Sequence, residues 1–156
     1  MNRILRIAIR ICGLSFALAA GINAASAATV LANPRLDTTG VTPELISLTS
    51  DDSEGDGDSY LPSVTPDGRY VVFASYATNL VPGDTHTAAD IFLRDRLTGQ
   101  IELVSLATDR TLANGGSYGA SLSGDGYRVV FVSSATNLVQ DDANGKGDIF
   151  LRNRRT

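Results

Sequence analysis

The feature that most constrains this chain of 156 residues is an internal repeat. Residues 45–98 match residues 103–156 at a constant offset of 58 residues and without a gap. The matching blocks are 45–48 with 103–106, 67–68 with 125–126, 71–73 with 129–131, 77–81 with 135–139, and 90–94 with 148–152. Such a duplication predicts a fold made of similar units, each of which needs a neighbour to cover its apolar faces.

Each unit has the pattern of a small antiparallel sheet. The Pro-Asp-Gly turn at 66–68 suits a tight hairpin, because proline presets φ and glycine tolerates positive φ. The continuous apolar run at 70–75 is typical of a strand buried on both faces. Strands are predicted in the first unit at 60–65, 70–75, 89–95 and 101–106. The pattern predicts an all-β protein of two tandem four-stranded antiparallel repeats, arranged as β-propeller blades; a small antiparallel sandwich is the alternative.

The N-terminal segment has the pattern of a secretory signal peptide. Three arginines and no acidic residue precede an apolar stretch at 11–20, and Ala25-Ser26-Ala27 offers the small residues that a signal peptidase accepts. We expect a signal helix, cleavage after Ala27, and export to the periplasm or the cell exterior. An uncleaved membrane anchor over 11–32 is the alternative. The predicted organisation is a signal peptide at 1–27, a linker at 28–43, the first repeat with a preceding strand at 44–106, and an incomplete second repeat at 107–156.

Charge and cysteine content narrow the classes of partner and cofactor. The net charge of −4 becomes −7 when the three arginines of residues 1–27 are removed. An acidic surface repels phosphate backbones, so nucleic acid is not an expected partner. The one cysteine, Cys12, lies in the predicted signal peptide, so the mature chain would have no disulfide, thiolate nucleophile or cysteine-based zinc site.

The hairpin and the strand after it also resemble a known family. Residues 63–75, Ser-Val-Thr-Pro-Asp-Gly-Arg-Tyr-Val-Val-Phe-Ala-Ser, resemble the core motif of the WD40-like repeats of TolB-type β-propellers. The second copy has Gly124 in place of the proline, and residues 77–90 are similar to a longer loop found in exported bacterial members. The resemblance implies a propeller fold. It implies little about activity, because the family includes envelope scaffolds and peptidase-associated propellers.

Two repeats fall short of a closed propeller, which has about four to eight blades. One interpretation is a truncated gene product. The other is that residues 44–49, which resemble the fourth strand of the first repeat, supply a missing outer strand, so that several copies form one ring as a homo-oligomer.

One loop has the spacing of a calcium site. Asp142, Asn144 and Asp148 place oxygen-bearing side chains around Gly145, and calcium prefers six to eight oxygen ligands. The matching loop of the first repeat retains Asp84 and Asp90 as a weaker version. No glutamate closes either loop, and the alternative is that these residues cap turns through their own backbone. No other cofactor is predicted.

Few residues suggest catalysis. His86 is the only histidine, a serine triad would need it as the base, and its counterpart in the second repeat is Asn144. The acidic run at 51–58 retains only its first aspartate in the second repeat, which favours a solvated loop over an ion site. We therefore predict no catalytic residues and a non-catalytic binding or scaffold module of the cell envelope, with a protein or glycan partner. The alternatives are the propeller portion of a larger peptidase or hydrolase, and a fragment without function.

Overall fold

The structure is a computed structural model that describes residues 42–155. The predicted signal peptide with its helix and nearly all of the predicted linker lie outside the described residues, so those predictions stay predictions. The described part contains seven strands: β1 (Ser59–Val64), β2 (Tyr70–Ser75), β3 (Asp90–Asp95), β4 (Gln100–Leu103), β5 (Ser117–Leu122), β6 (Arg128–Ser133) and β7 (Asp148–Asn153). No helix in this part is long and apolar enough to cross a membrane.

The strands form two antiparallel sheets, one for each sequence repeat. The sheets have the orders β1-β2-β3-β4 and β5-β6-β7. The prediction of an all-β fold is confirmed for residues 42–155, and the arrangement is consistent with part of a propeller. The second sheet has three strands within these residues, one fewer than the first sheet.

The first hairpin is built in the same way in both repeats. Asp67 Oδ1 accepts hydrogen bonds from Thr65 Oγ1 (2.6 Å) and from the backbone N of Arg69 (3.0 Å). Gly68 takes a φ of 71°, a conformation that favours glycine. Asp125 makes the equivalent bonds one repeat later, although the proline before it is missing. The predicted hairpin is therefore confirmed in both repeats.

The fourth strand is shorter than the predicted 101–106. β4 ends at Leu103, because a side chain then interrupts the ladder to β3. The backbone N of Ile91 donates to Ser105 Oγ (3.0 Å) instead of to a carbonyl, and Ser105 Oγ donates to Asp90 Oδ1 (2.6 Å). The chain leaves the first sheet at this point and crosses to the second.

An arginine that is buried in the first repeat and partly buried in the second holds the segment that enters each repeat. Arg94 Nη1 donates to the carbonyl oxygens of Leu48 (2.8 Å) and Thr49 (2.6 Å). Arg152, one repeat later, donates through Nε to the carbonyl oxygen of Val104 (3.2 Å). Carbonyls inside a protein need donors, and this repeated arginine supplies them.

An asparagine from each long loop ties the same entering segment. Asn79 Nδ2 donates to the carbonyl oxygen of Glu54 (2.9 Å), and Asn79 Oδ1 accepts from the backbone N of Asp56 (2.9 Å). Asn137 makes both bonds again to Leu112 and Asn114. These contacts explain why the block at 77–81 recurs at 135–139.

The two sheets pack face to face through an apolar core. The first sheet contributes side chains of β2 and β3, which lie against Val129, Phe131 and Leu138 of the second repeat. The contributing residues of β2 and β3 are Tyr70, Val72, Ala74, Ile91 and Leu93. Packing between the sheets therefore covers one face of each repeat.

The remaining face of the second sheet is exposed. All six residues of β2 are buried, whereas buried and exposed residues alternate along β6. Ile149 is 75% exposed and Leu151 is 65% exposed, whereas their counterparts Ile91 and Leu93 are almost completely buried. We call the four exposed apolar residues of this surface, Val130, Val132, Ile149 and Leu151, the open face.

Candidate binding surface

The long loops after β2 and β6 lie at the end of the sheets where β1, β3, β5 and β7 begin. The first residue of β1, Ser59, pairs with Ser75 at the end of β2, and Ser75 also pairs with Asp90 at the start of β3. The backbone N of Ser117, which starts β5, donates to the carbonyl oxygen of Ala89 (2.7 Å). We call this the long-loop end.

Three tyrosines from three different segments gather at the long-loop end. Tyr60 lies in β1, Tyr76 directly follows β2, and Tyr118 lies in β5. The ring centroids of Tyr60 and Tyr76 are 5.6 Å apart and the rings are tilted by 40°. The pKa of the Tyr60 and Tyr118 hydroxyls is raised. Burial is the main cause, and the neighbouring Tyr76 side chain is the second cause. We call these three residues the tyrosine cluster.

The tyrosine cluster contains two exposed side chains and one buried hydroxyl group. Tyr76 is 44% exposed and Tyr118 is 37% exposed. The Tyr60 hydroxyl is buried and has no hydrogen-bond partner within residues 42–155. The exposed residues Tyr76 and Tyr118 therefore offer ring surface to a partner, whereas the buried Tyr60 hydroxyl lies out of a partner's reach.

The predicted residues of the first long loop form a connected group beside this cluster. His86 Nδ1 lies 3.1 Å from Asp90 Oδ2, and the other oxygen of Asp90 accepts from Ser105. Asp84 Oδ1 accepts from the backbone N of His86 (3.1 Å). Burial raises the pKa of both the Asp84 and the Asp90 carboxyls. The structure thus brings Asp84, His86 and Asp90 together.

The order of contacts in this group differs from that of a serine triad. In a triad the imidazole lies between the hydroxyl and the carboxylate, so that it can take the hydroxyl proton. Here the carboxylate of Asp90 lies between Ser105 and His86. Ser105 is also fully buried. These contacts fit a structural role, in which Asp90 joins the long loop to the end of the first sheet.

Residues 115–119 read Gly-Gly-Ser-Tyr-Gly, which matches the Gly-x-Ser-x-Gly pattern of a nucleophile elbow. A nucleophile elbow exposes its serine on a turn from a strand to a helix. Ser117 instead begins β5 and is buried, and its Oγ donates to Ser133 Oγ (2.9 Å). The counterpart Ser59 makes the same bond to Ser75 (2.9 Å). Residues 115–119 are therefore part of the sheet structure that recurs in both repeats, and they do not have the geometry of a nucleophile elbow.

The predicted calcium residues of the second repeat contact one another. Asn144 Nδ2 donates to Asp148 Oδ2 (3.0 Å), and Asn144 Oδ1 accepts from the backbone N of Lys146 (2.7 Å). Gly145 takes a φ of 62° in the bend, and Asp142 Oδ2 is buried without a hydrogen-bond partner in the described part. Asn144 thus holds Asp148 in the way that His86 holds Asp90.

Metal binding by these loops stays a prediction. Among residues 42–155 no group of three or more histidine, cysteine, aspartate or glutamate side chains is placed to hold a metal ion. Asn144, which lies outside that set of residue types, directs its oxygen to its own loop. A calcium ion at Asp142, Asn144 and Asp148 would therefore have to draw the Asn144 oxygen away from the Lys146 backbone.

The acidic run at 51–58 contacts other segments of the first repeat. The Asp56 carboxylate accepts from the backbone N (2.7 Å) and Oγ1 (2.9 Å) of Thr78, and the Thr78 hydroxyl is the main cause of a lowered Asp56 pKa. Asn114 accepts from the backbone N of Thr136 in the same way (2.8 Å). Aspartate and asparagine therefore serve one capping role in the two repeats.

The tyrosine cluster was not among the residues singled out from the sequence. Tyr60 and Tyr118 are one repeat apart, which is a signal that could have identified them. Tyr76 has Ser134 as its counterpart and carries no such signal. The cluster also depends on how β1 and β5 pack against each other, which the sequence pattern does not specify.

No family model matches this chain, and no curated protein matches it. Among solved structures, the chain is similar to the crystal structure of TolB from Acinetobacter baumannii, with 20% sequence identity and a TM-score of 0.37. The similarity covers 65% of this chain and 19% of the TolB chain.

Proposed function

We propose that this chain is an exported, non-catalytic β-propeller module of the cell envelope that binds a protein or a glycan through the tyrosine cluster. The observation that carries the proposal is the convergence of Tyr60, Tyr76 and Tyr118 at the long-loop end. Export rests on the signal-peptide pattern of residues 1–27, and the propeller assignment rests on the repeat.

The chemistry of tyrosine suits this role. A tyrosine ring contributes large apolar contact area and its hydroxyl contributes a directed hydrogen bond, so tyrosine is enriched at binding surfaces. Its side chain has few rotatable bonds, so little conformational entropy is lost on binding. Two of the three tyrosines lie in strands, and a rigid scaffold holds a binding surface better than a loop does.

Two variants of the exported chain test the proposal. Tyr76→Ala combined with Tyr118→Ala removes the two exposed rings, and Leu97→Ala, which truncates a comparably exposed apolar side chain in the β3–β4 turn, is the control. Partners are first identified by cross-linking in the envelope fraction and on a glycan array. Affinity is then measured with the purified partner.

We expect the double variant to bind at least about tenfold more weakly, since hot-spot truncations commonly cost about 2 kcal/mol or more. The control should bind like the wild type. Equal affinity of the double variant and the wild type for every identified partner would contradict the proposed surface. Retention of the whole chain in the cytoplasm would contradict export.

A further inference from the structure

We infer that the open face and the outer edge of β7 bind a second copy of this chain, which adds residues 43–47 to the second sheet as a fourth strand. The inference goes beyond the proposed function and does not depend on the tyrosine cluster. It rests on the equivalence of four features in the two repeats: an ion pair, a strand edge, an apolar groove and an apolar face.

Residues 43–47 lie against the first repeat as β4 lies against the second. Arg96 pairs with Glu44 and also donates to the carbonyl oxygen of Gly68 (2.6 Å). Arg154 pairs with Glu102 of β4 and donates to the carbonyl oxygen of Gly126 (2.5 Å). All partners differ by 58 residues, so the segment around Glu44 has the position of a fourth strand that precedes the first repeat.

β4 contacts both repeats, whereas residues 43–47 contact one repeat within the described part of the chain. β4 pairs with β3 and contacts the second repeat through Glu102. Residues 43–47 contact the first repeat but belong to neither sheet of the described part. β7 in turn has β6 as its only strand neighbour within residues 42–155. One copy therefore presents the strand edge that the other copy's segment fits.

The groove beside β7 is the space that β4 fills in the first repeat. Ile101 and Leu103 pack there against Phe73, Leu80 and Phe92. In the second repeat the equivalent apolar residues line an open groove of about 450 Å³, and they are Phe131, Leu138 and Phe150. Pro43 and Leu45 are the counterparts of Ile101 and Leu103 and would fill it.

The pairing of β3 with β4 predicts the register between copies. Leu93 pairs with Glu102 and Phe92 with Leu103, so Leu151 should pair with Glu44 and Phe150 with Leu45 of the other copy. Pro43 has no N–H, but its counterpart Ile101 directs its N–H to Ser50 Oγ (3.4 Å) rather than to β3. A proline at this position therefore removes no bond to the neighbouring strand.

The residues of one buried polar contact in the first sheet also have counterparts that association of two copies would bring together. Ser105 bridges Asp90 and the backbone N of Ile91. The counterpart of Ser105 is Ser47, so Ser47 of one copy should bridge Asp148 and Ile149 of the other. This contact would satisfy polar groups that association buries.

The open face of the second sheet is equivalent to the face of the first sheet that packs against the second repeat. The counterparts of Val72, Ala74, Ile91 and Leu93 are the four apolar residues of the open face, and Arg128 in place of Tyr70 is the polar exception. The inner face of the first sheet packs on Val129 and Phe131. Val71 and Phe73, their counterparts, line an open groove of about 220 Å³ beside Ile46. Val71 and Phe73 are themselves buried in the single chain, so a second copy presents this groove and not an exposed face.

The contact joins different surfaces of the two copies, so it is head-to-tail. Such contacts form rings when the rotation closes and filaments when it does not. Because propellers close with about four to eight blades, two to four copies of this two-repeat chain would complete one ring.

The solution mass tests the inference directly. The full chain, expressed with its N-terminal segment and purified as the cell exports it, is measured by light scattering over a range of concentrations. We expect a mass of two to four copies for the wild type and for Leu97→Glu, and a single copy for Ile149→Glu. Both substitutions place one charge at an exposed apolar position, so the chain itself should stay folded. A monomeric wild type, or an Ile149→Glu variant that assembles like the wild type, would overturn the inference.

Cysteine cross-linking tests the register. In a Cys12→Ser background, Glu44→Cys with Leu151→Cys places the two cysteines in a directly paired position, where Cα atoms are about 5.5 Å apart and a disulfide can form. The control pair, Glu44→Cys with Ile149→Cys, is two residues out of register and beyond about 7 Å. We expect covalent multimers on a non-reducing gel for the first pair at several times the yield of the control. Equal yields, or monomers for both pairs, would reject this strand exchange.

Discussion

Ile91 and Ile149 occupy the same place in two copies of one strand, and they experience opposite environments. Ile91 is 0% exposed and Ile149 is 75% exposed. Their pairing partners match as well, since Ile91 pairs with Ala74 and Ile149 with Val132. The difference therefore arises from what lies on the sheet and not from the strand itself, which agrees with the strong context dependence of β-propensity.

Several contacts inside each repeat show the opposite behaviour, because they recur in both repeats. The stacked rings of Phe73 and Phe92 have centroids 6.0 Å apart, and those of Phe131 and Phe150 are 5.9 Å apart. Local geometry thus repeats with the sequence, whereas burial depends on the neighbour. This distinction can be tested by making one substitution at matched positions of the two repeats.

The largest contrast is expected for truncation of the two isoleucines. Ile91→Ala should lower the free energy of unfolding by about 2–5 kcal/mol, because it leaves a cavity in the core between the sheets. Ile149→Ala should change it by about 0.5 kcal/mol or less in dilute, unassociated protein. Urea unfolding of both variants measures the difference. Equal losses would mean that the open face is covered in the dilute chain.

A glycine pair should show equal effects in the two repeats. A Cβ on Gly57 would lie 2.6 Å from the backbone of Tyr76, and a Cβ on Gly115 would lie 2.8 Å from the backbone of Ser134. Both contacts are too close, and both lie within one repeat. Gly57→Ala and Gly115→Ala should each lower the free energy of unfolding by about 1–3 kcal/mol. Gly124→Ala is the matched control, because its φ is likewise not positive and the nearest atoms to an added Cβ, in the Pro66 side chain, lie 4.0 Å away. A loss in one repeat alone would contradict the equivalence.

The calcium hypothesis predicts a smaller effect that separates the second loop from the first. A site with a Kd of about 0.1–1 mM would add about 0.6–2 kcal/mol at about 2 mM calcium. Thermal melts with calcium and with chelator should therefore differ, and Asp148→Asn should abolish the difference. Asp125→Asn, in a hairpin turn, is the matched control and should retain it. Coincident melts of the wild type would exclude the site.

The smallest expected effect is a difference in pH dependence between two aspartates. Burial raises the pKa of Asp90 above the usual 3.8, so its contribution to stability is greatest below that value and falls as the pH rises through the raised pKa. A hydrogen bond from Thr65 lowers the pKa of Asp67, so its contribution is present above 3.8 and falls as the pH decreases.

Asn substitutions at these two positions should therefore change stability in opposite directions. Relative to the wild type, Asp90→Asn should gain stability as the pH rises above about 4, whereas Asp67→Asn should lose stability as the pH rises towards about 4. Urea midpoints at several pH values give the two slopes. Slopes of the same sign would contradict the assignment of burial as the dominant cause at Asp90.

Much of the local structure could be predicted from the sequence. The apolar run at 70–75 coincides with β2, and the Asp-Gly turns are found where the pattern placed them. These features depend on neighbouring residues, so the local sequence determines them. The end of β4 at Leu103 could not be predicted, because it depends on one hydrogen bond from Ile91 to a serine side chain fourteen positions away.

The candidate site was harder to predict for a related reason. The tyrosine cluster needs β1 and β5, from different repeats, to pack side by side, and a pattern within one repeat does not contain that contact. The pairing of Asp148 with Asn144 was equally hidden, since the spacing of oxygen atoms is the same for a capped turn and for an ion site. In both cases the residue types were visible and their partners were not.

The constant spacing of the arginine–glutamate pairs bears on how such a chain can lengthen. Glu44 with Arg96 and Glu102 with Arg154 are each 52 residues apart, and each pair links a segment to the repeat that follows it. An in-frame tandem duplication of 58 residues would carry every junction contact with it and add one more functional junction at once. Gene duplication is therefore a direct route to longer arrays of this protein.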